Sequence, residues 1–137
     1  MPNALLKLTG SICIVAILWM TIGCSGAPEK KYLPASGTAR GALDAALKQW
    51  KSGEAHAPVT GFSVPIDVFD ARWQKGKKLE SYEILSEEES DGPKTFIVKM
   101  KLDEDKEEKE VKYLIVGKNP LLVFREQDYN KASGTGG

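Results

Sequence analysis

The chain has 137 residues, 42% hydrophobic and 28% charged, which is the balance of an ordinary folded domain and enough for one domain rather than two. Its 19 Lys and Arg meet 19 Asp and Glu, so the basic footprint of a nucleic-acid binder is missing and no strongly charged substrate is implied. Only Lys7 precedes Cys24, which leaves 18 of the 19 basic side chains against all 19 acidic ones, a net charge of −1 beyond that point.

Residues 1–7 form a short start with one positive side chain. Leu8 to Met20 is largely apolar, through Ile12, Ile14, Val15, Ile17, Leu18 and Trp19. Thr21-Ile22-Gly23-Cys24 follows, and polarity rises at once through Ser25, Gly26, Pro28, Glu29, Lys30 and Lys31. A positive start, a short apolar run and small residues at its end make a secretory signal. The run is shorter than the ~20 residues that usually span a bilayer.

These residues resemble the signal of bacterial lipoproteins, in which a lipobox ends in Gly or Ala followed by Cys. Gly23-Cys24 matches its two most informative positions; Thr21 and Ile22 depart from the usual Leu and Ala or Ser. The resemblance covers roughly the first 25 residues. It implies cleavage before Cys24, acylation of that residue, and a domain anchored in the bacterial cell envelope, facing periplasm or exterior. Cysteine arithmetic agrees: Cys13 is discarded with the signal, and Cys24 remains without a disulfide partner. An uncleaved anchor helix and ordinary secretion are the alternatives. Residues 1–23 are then the signal peptide. Residues 24–37, rich in Gly, Pro, Ser, Lys and Ala, are the lipidated terminus and a flexible tether.

The domain spans residues 38–130, and residues 131–137, with three glycines, are a disordered tail. Thr38 is the expected N-cap of a helix over 39–51. Leu43, Leu47 and Trp50 lie along one face with Ala39, Ala42 and Ala46; Arg40, Asp44, Lys48 and Lys51 lie on the other. Ser52-Gly53 stops it. Strand patterns follow. In Phe62 to Phe69, Val64, Ile66 and Val68 share a side, and Pro65 makes the segment an edge or irregular strand. Asp70 caps a single helical turn closed by Gly76. Leu79 to Glu87 carries Tyr82 and Ile84 on one face. Lys94 to Leu102 alternates most clearly, with Phe96, Val98, Met100 and Leu102 inward. Asp103 to Lys109 is a solvated tip, and Val111 to Val116 and Leu121 to Arg125 complete the set.

One amphipathic helix followed by a meander predicts an α+β fold: an N-terminal helix packed on a curved antiparallel sheet of four to five strands. The order of elements resembles cystatin-like and nuclear-transport-factor-2-like folds over about 90 residues, which implies a scaffold and nothing about activity.

No catalytic or metal-binding constellation stands out. His56, the sole histidine, reads as a solvated loop residue; Ser63 and Ser81 lack an elbow motif. The acidic runs 87–91 and 103–108 fall at turns, and the second has Glu108 where a calcium loop needs Gly. Gly117-Lys118-Asn119 lacks the upstream glycine of a phosphate loop. No cofactor is expected. The set worth following is aromatic: Trp50, Trp73, Tyr82, Phe96, Tyr113 and Phe124, flanked by Arg72 and Arg125, either fill a core or line a small apolar pocket. Trp50 is expected in the core against Phe96 or Tyr113, and Trp73 nearer the surface. The leading functional expectation is a non-enzymatic, envelope-anchored accessory or binding domain. Its partners are the membrane, through the acylated terminus, and a protein or small molecule. The alternatives are an isomerase- or hydrolase-like enzyme with Asp67 or Glu83 as base, and a structural protein pairing through the Val64–Val68 edge.

Overall fold

The structure, a computed structural model, describes residues 33–89 and 91–134. The signal peptide, Cys24 and most of the tether lie outside the described residues. The first described element is helix α1 (Ser36–Lys51). It starts two residues before the expected cap, and Thr38 falls inside its first turn. Ala35 takes the N-cap position without a side-chain bond, and the Ser36 hydroxyl instead donates to Glu87 Oε2 at 2.9 Å. A tertiary contact thus replaces the local cap. Ala39, Ala42, Leu43, Ala46, Leu47 and Trp50 are buried along one stripe. The three alanines keep that stripe thin, so the helix axis can lie close to the sheet, and α1 touches all five strands.

Those strands are β1 (Ile66–Phe69), β2 (Leu79–Glu88), β3 (Lys94–Leu102), β4 (Lys109–Gly117) and β5 (Leu121–Arg125). Helix α2 (Ala71–Gln74) follows β1, and α3 (Glu126–Ser133) follows β5. The Asp70 side chain accepts from the Arg72 N–H at the head of α2, and Gly76 closes the turn at φ +86°. The fold is α+β, but its sheet is mixed rather than antiparallel. The order is β1-β5-β4-β3-β2, and β1 lies parallel to β5 with Ile66 opposite Leu121. Hairpin turns dictate antiparallel pairing for β2 through β5. No turn joins β1 to β5, so nothing local sets its direction. At the β4–β5 turn, Gly117 sits at φ +81°, and a Cβ there would meet the Pro120 carbonyl oxygen at 2.6 Å, so only glycine fits.

Register separates the two faces of the sheet. Phe96 opposes Tyr113, Tyr82 opposes Met100, and Val68 opposes Val123. With Ile66, Val98, Leu102, Ile115 and Leu121 these residues face α1 and make the core. Each large apolar side chain so buried contributes ~1.5–3 kcal/mol against chain entropy. The outer face carries a cross-strand row of Glu88, Thr95, Leu114, Phe124 and Phe69.

Helix α3 stands where the sequence predicts the end of the domain, and it extends three residues into the expected tail. Glu126 and Asp128 lie in its first turn, where acids suit the helix dipole, and Gly134 ends it in the left-handed region. Tyr129 packs edge-on against Phe124, ring centroids 5.4 Å apart. This packing gives an eight-residue helix the support that its own propensity does not supply.

Candidate functional site

Trp50 and Trp73 meet where the C-terminal end of α1 passes α2. Their rings stack with centroids 5.7 Å apart, and each is 2% exposed. Trp50 Nε1 donates to the Lys77 carbonyl at 2.7 Å and Trp73 Nε1 to the Glu54 carbonyl at 2.9 Å. Trp50 is a core residue, as expected, but its aromatic neighbour is Trp73. Trp73 is buried rather than near the surface, because the α2 turn folds its ring back onto α1. The Arg72 guanidinium lies over Trp50, 5.5 Å from the ring centroid. A surface cleft of about 270 Å³ opens beside the pair, bordered by His56, Gln74, Lys77 and Lys78.

Under Arg72 lies a buried polar cluster. Arg72 Nε and Nη2 hold the two carboxylate oxygens of Asp70 at 3.1 and 2.9 Å. Tyr113 donates to Asp70 Oδ2 at 2.5 Å and accepts from Arg72 Nη2 at 2.8 Å. Asp70 is completely buried, and Tyr113 is 1% exposed. Burial pushes the Asp70 carboxyl up, but the hydrogen bonds and charge of Arg72, joined by the Tyr113 hydroxyl, outweigh it and hold the carboxyl below its ordinary value. Burial raises the Tyr113 phenol well above its ordinary value, and the Asp70 charge adds to this. The cluster is a charge-assisted lock that fastens α2 to β4. Its donors and acceptors are turned on one another.

His56 belongs to the same corner. It is half-buried, its ring edge-on to Trp73 at 5.1 Å, with Nε2 2.7 Å from the Val68 carbonyl. Nε2 therefore carries the proton in this contact. Two residues away, the Ile66 carbonyl accepts from the Val59 N–H at 3.0 Å. Both outward carbonyls of β1 are thereby filled. The sequence reading of His56 as a solvated loop residue is corrected: it closes a sheet edge. A lone histidine after a helix carries no sign of this.

The aromatic set does not line one concavity. Trp50, Trp73, Phe96 and Tyr113 fill the core, and Tyr82 packs against it from the rim. Phe124 points to the outer face, stacked on Phe69 with centroids 4.5 Å apart. The parity of its strand decides this, since Val123 and Leu121 face inward. Arg125 pairs with Asp128 at 2.8 Å; with Arg72 it borders a surface opening of about 490 Å³ among Lys109, Glu110, Lys112 and Gln127, which holds none of the aromatic set. Asp67 and Glu83 stand on the outer face as well, opposite Leu122 and Lys99. Among the described residues no three metal-ligating side chains gather, and no helix is long and apolar enough to cross a membrane.

A second constellation lies along β2. The polar face of α1 runs beside this strand and, with it, borders a groove of about 470 Å³ lined by Arg40, Asp44, Lys48, Lys51, Tyr82 and Glu83. The Tyr82 hydroxyl donates to Asp44 Oδ1 at 2.8 Å and fixes the floor. Burial, with the Asp44 bond and charge, raises the Tyr82 phenol above its ordinary value, so it stays a donor at neutral pH. Beyond it an opening of about 600 Å³ is bordered by Ser36, Glu87, Glu89, Asp91 and Lys94. The sequence shows these groups as a solvated helix face and an acidic strand; it holds no signal that they adjoin. Against known proteins, the chain matches no family model, no curated protein and no solved structure.

Proposed function

We propose that the protein is an envelope lipoprotein, anchored through acylated Cys24, whose exported domain binds a partner and performs no chemistry of its own. α1 is then the first helix of the mature domain, held on one face of the sheet. The observation that carries the binding half is the contrast in how polar groups are used. Asp70 and Tyr113, both fully buried, bond to each other and to the half-buried Arg72 within 3.1 Å, whereas the α1–β2 groove keeps a row of charges open to solvent. A catalytic acid or base must reach a substrate proton, and a lock closed on itself offers none. The anchoring half rests on Gly23-Cys24 behind the apolar run. The stretch from Cys24 to Leu33 spans at most ~30 Å, which keeps such a domain near the membrane.

Mass spectrometry of the membrane fraction tests the reading. Cys24 should be the N-terminal residue, carrying two or three acyl chains, since a single chain anchors only marginally. Cys24→Ser should leave the precursor unprocessed. A mature protein that begins with Met1 overturns the anchor.

A further inference from the structure

The two edges of the sheet are β1 and β2. In β1 the outward carbonyls of Ile66 and Val68 are taken by Val59 and His56. β2 pairs with β3 on one side, and among the described residues no strand pairs with the other side over Leu79–Glu88. Alternate residues of such a strand turn their N–H and C=O groups away from the sheet, a template for one more strand. The wall beside that template is the polar face of α1. A strand edge flanked by a helix, with a groove between, is the geometry of peptide recognition by strand addition.

We infer that this groove takes an extended peptide segment of a partner protein as an added strand on β2. The inference rests on the binding-domain reading and names its site. Side-chain parity defines the ligand. Ser81, Glu83, Ser86 and Glu88 face outward, and Tyr82, Ile84 and Glu87 face α1. Outward side chains of an added strand therefore lie beside Glu83 and Glu88 and are basic. Inward side chains lie between Tyr82 or Ile84 and the α1 cations Arg40 and Lys48, and are apolar or acidic. Glu83 is exposed and has no ion-pair partner among the described residues, while Glu88 is held by Lys112 at 2.9 Å. Glu83 is therefore the residue free to choose the ligand.

A second copy fits less well. β2 carries Glu80, Glu83, Glu87 and Glu88 and no cation, so two such edges set like charges across from one another. Register shifts between Leu79 and Ser81 and between Ile84 and Ser86 interrupt the edge for any added strand, so Ser81–Ile84 is the regular stretch that the peptide pairs with.

The test uses the full chain in detergent micelles and a fluorescent ten-residue peptide in which Lys alternates with Val and Asp. A companion peptide carries Glu for each Lys. Saturable binding of the Lys peptide is expected, with hydrogen-exchange protection gained within residues 79–88. Glu83→Lys should weaken the Lys peptide about tenfold and strengthen the Glu peptide, an exchange of preference that loss of folding cannot produce. Protection that falls elsewhere, or binding indifferent to Glu83→Lys, overturns the groove and leaves the binding-domain reading standing. Failure of both peptides to bind also overturns the groove, while the anchor is judged separately by the acylation of Cys24. A concentration-dependent dimer with hydrogen-exchange protection gained within residues 79–88 overturns the partner assignment in favour of a second copy.

Discussion

Along β1, a histidine ring and a loop amide fill the outward carbonyls, and just beyond the strand Asp70, Arg72 and Tyr113 close a buried ring of hydrogen bonds. Along β2, ten residues of edge are left unpaired among the described residues, and the ion pairs beside them are exposed. The first region satisfies its polar groups from within the chain, and removing any member strands another in low dielectric. The second relies on register shifts and four glutamates, which discourage casual pairing without filling the edge. Polar groups whose loss is costly mark the frame, and polar groups whose loss is cheap mark the surface free to serve a partner.

The sharpest way to break this contrast is Asp70→Asn. It leaves Arg72 without its counter-charge and should cost about 3–5 kcal/mol in chemical denaturation. The pH dependence carries the same information. Because the folded carboxyl lies below its ordinary 3.8, its stabilisation is present above that pH and is lost as pH falls through the lower folded value. The parent should therefore weaken below about pH 3.8, with a flatter acid limb in Asp70→Asn. The raised Tyr113 phenol acts at the other end: stability should fall as pH climbs past 10.0, where the unfolded phenol ionises first. A loss under ~1 kcal/mol for Asp70→Asn would make the cluster no different from the surface pairs.

A smaller effect is expected at the closed edge. His56→Ala removes one hydrogen bond and one ring contact, for a loss of ~1–1.5 kcal/mol. It also uncovers the Val68 carbonyl, so light scattering should detect self-association that the parent lacks. An unchanged monomer would show that Val59 alone suffices to protect β1. The smallest effect belongs to the open edge. Lys101 reaches Glu80 at 2.8 Å, but the glutamate side chain is 53% exposed. Glu80→Ala should shift stability by less than ~0.5 kcal/mol. A larger loss would mean that β2 is held as tightly as β1 and is no spare surface.

What the sequence by itself determined is local. The boundaries of β3 and β5, the apolar stripe of α1 and the capped turn of α2 follow from side-chain period and from Asp70, Gly53 and Gly76, because neighbours in the chain fix them. Tertiary structure decided the rest. Thr38 gave way as a cap to a contact between Ser36 and Glu87, 51 residues apart. The direction of β1 beside β5 had no turn to announce it. α3 is short and polar, and it depends on Phe124, whose outward side follows from the register of β5 against β4. Asp70 and Tyr113 are 43 residues apart, Arg72 and Tyr113 41, and His56 and Val68 12. The groove between α1 and β2 likewise joins residues some 40 positions apart. Period and capping are read within one or two turns of chain, whereas a closed or open edge depends on which distant segment arrives beside it, and no local pattern encodes that arrival.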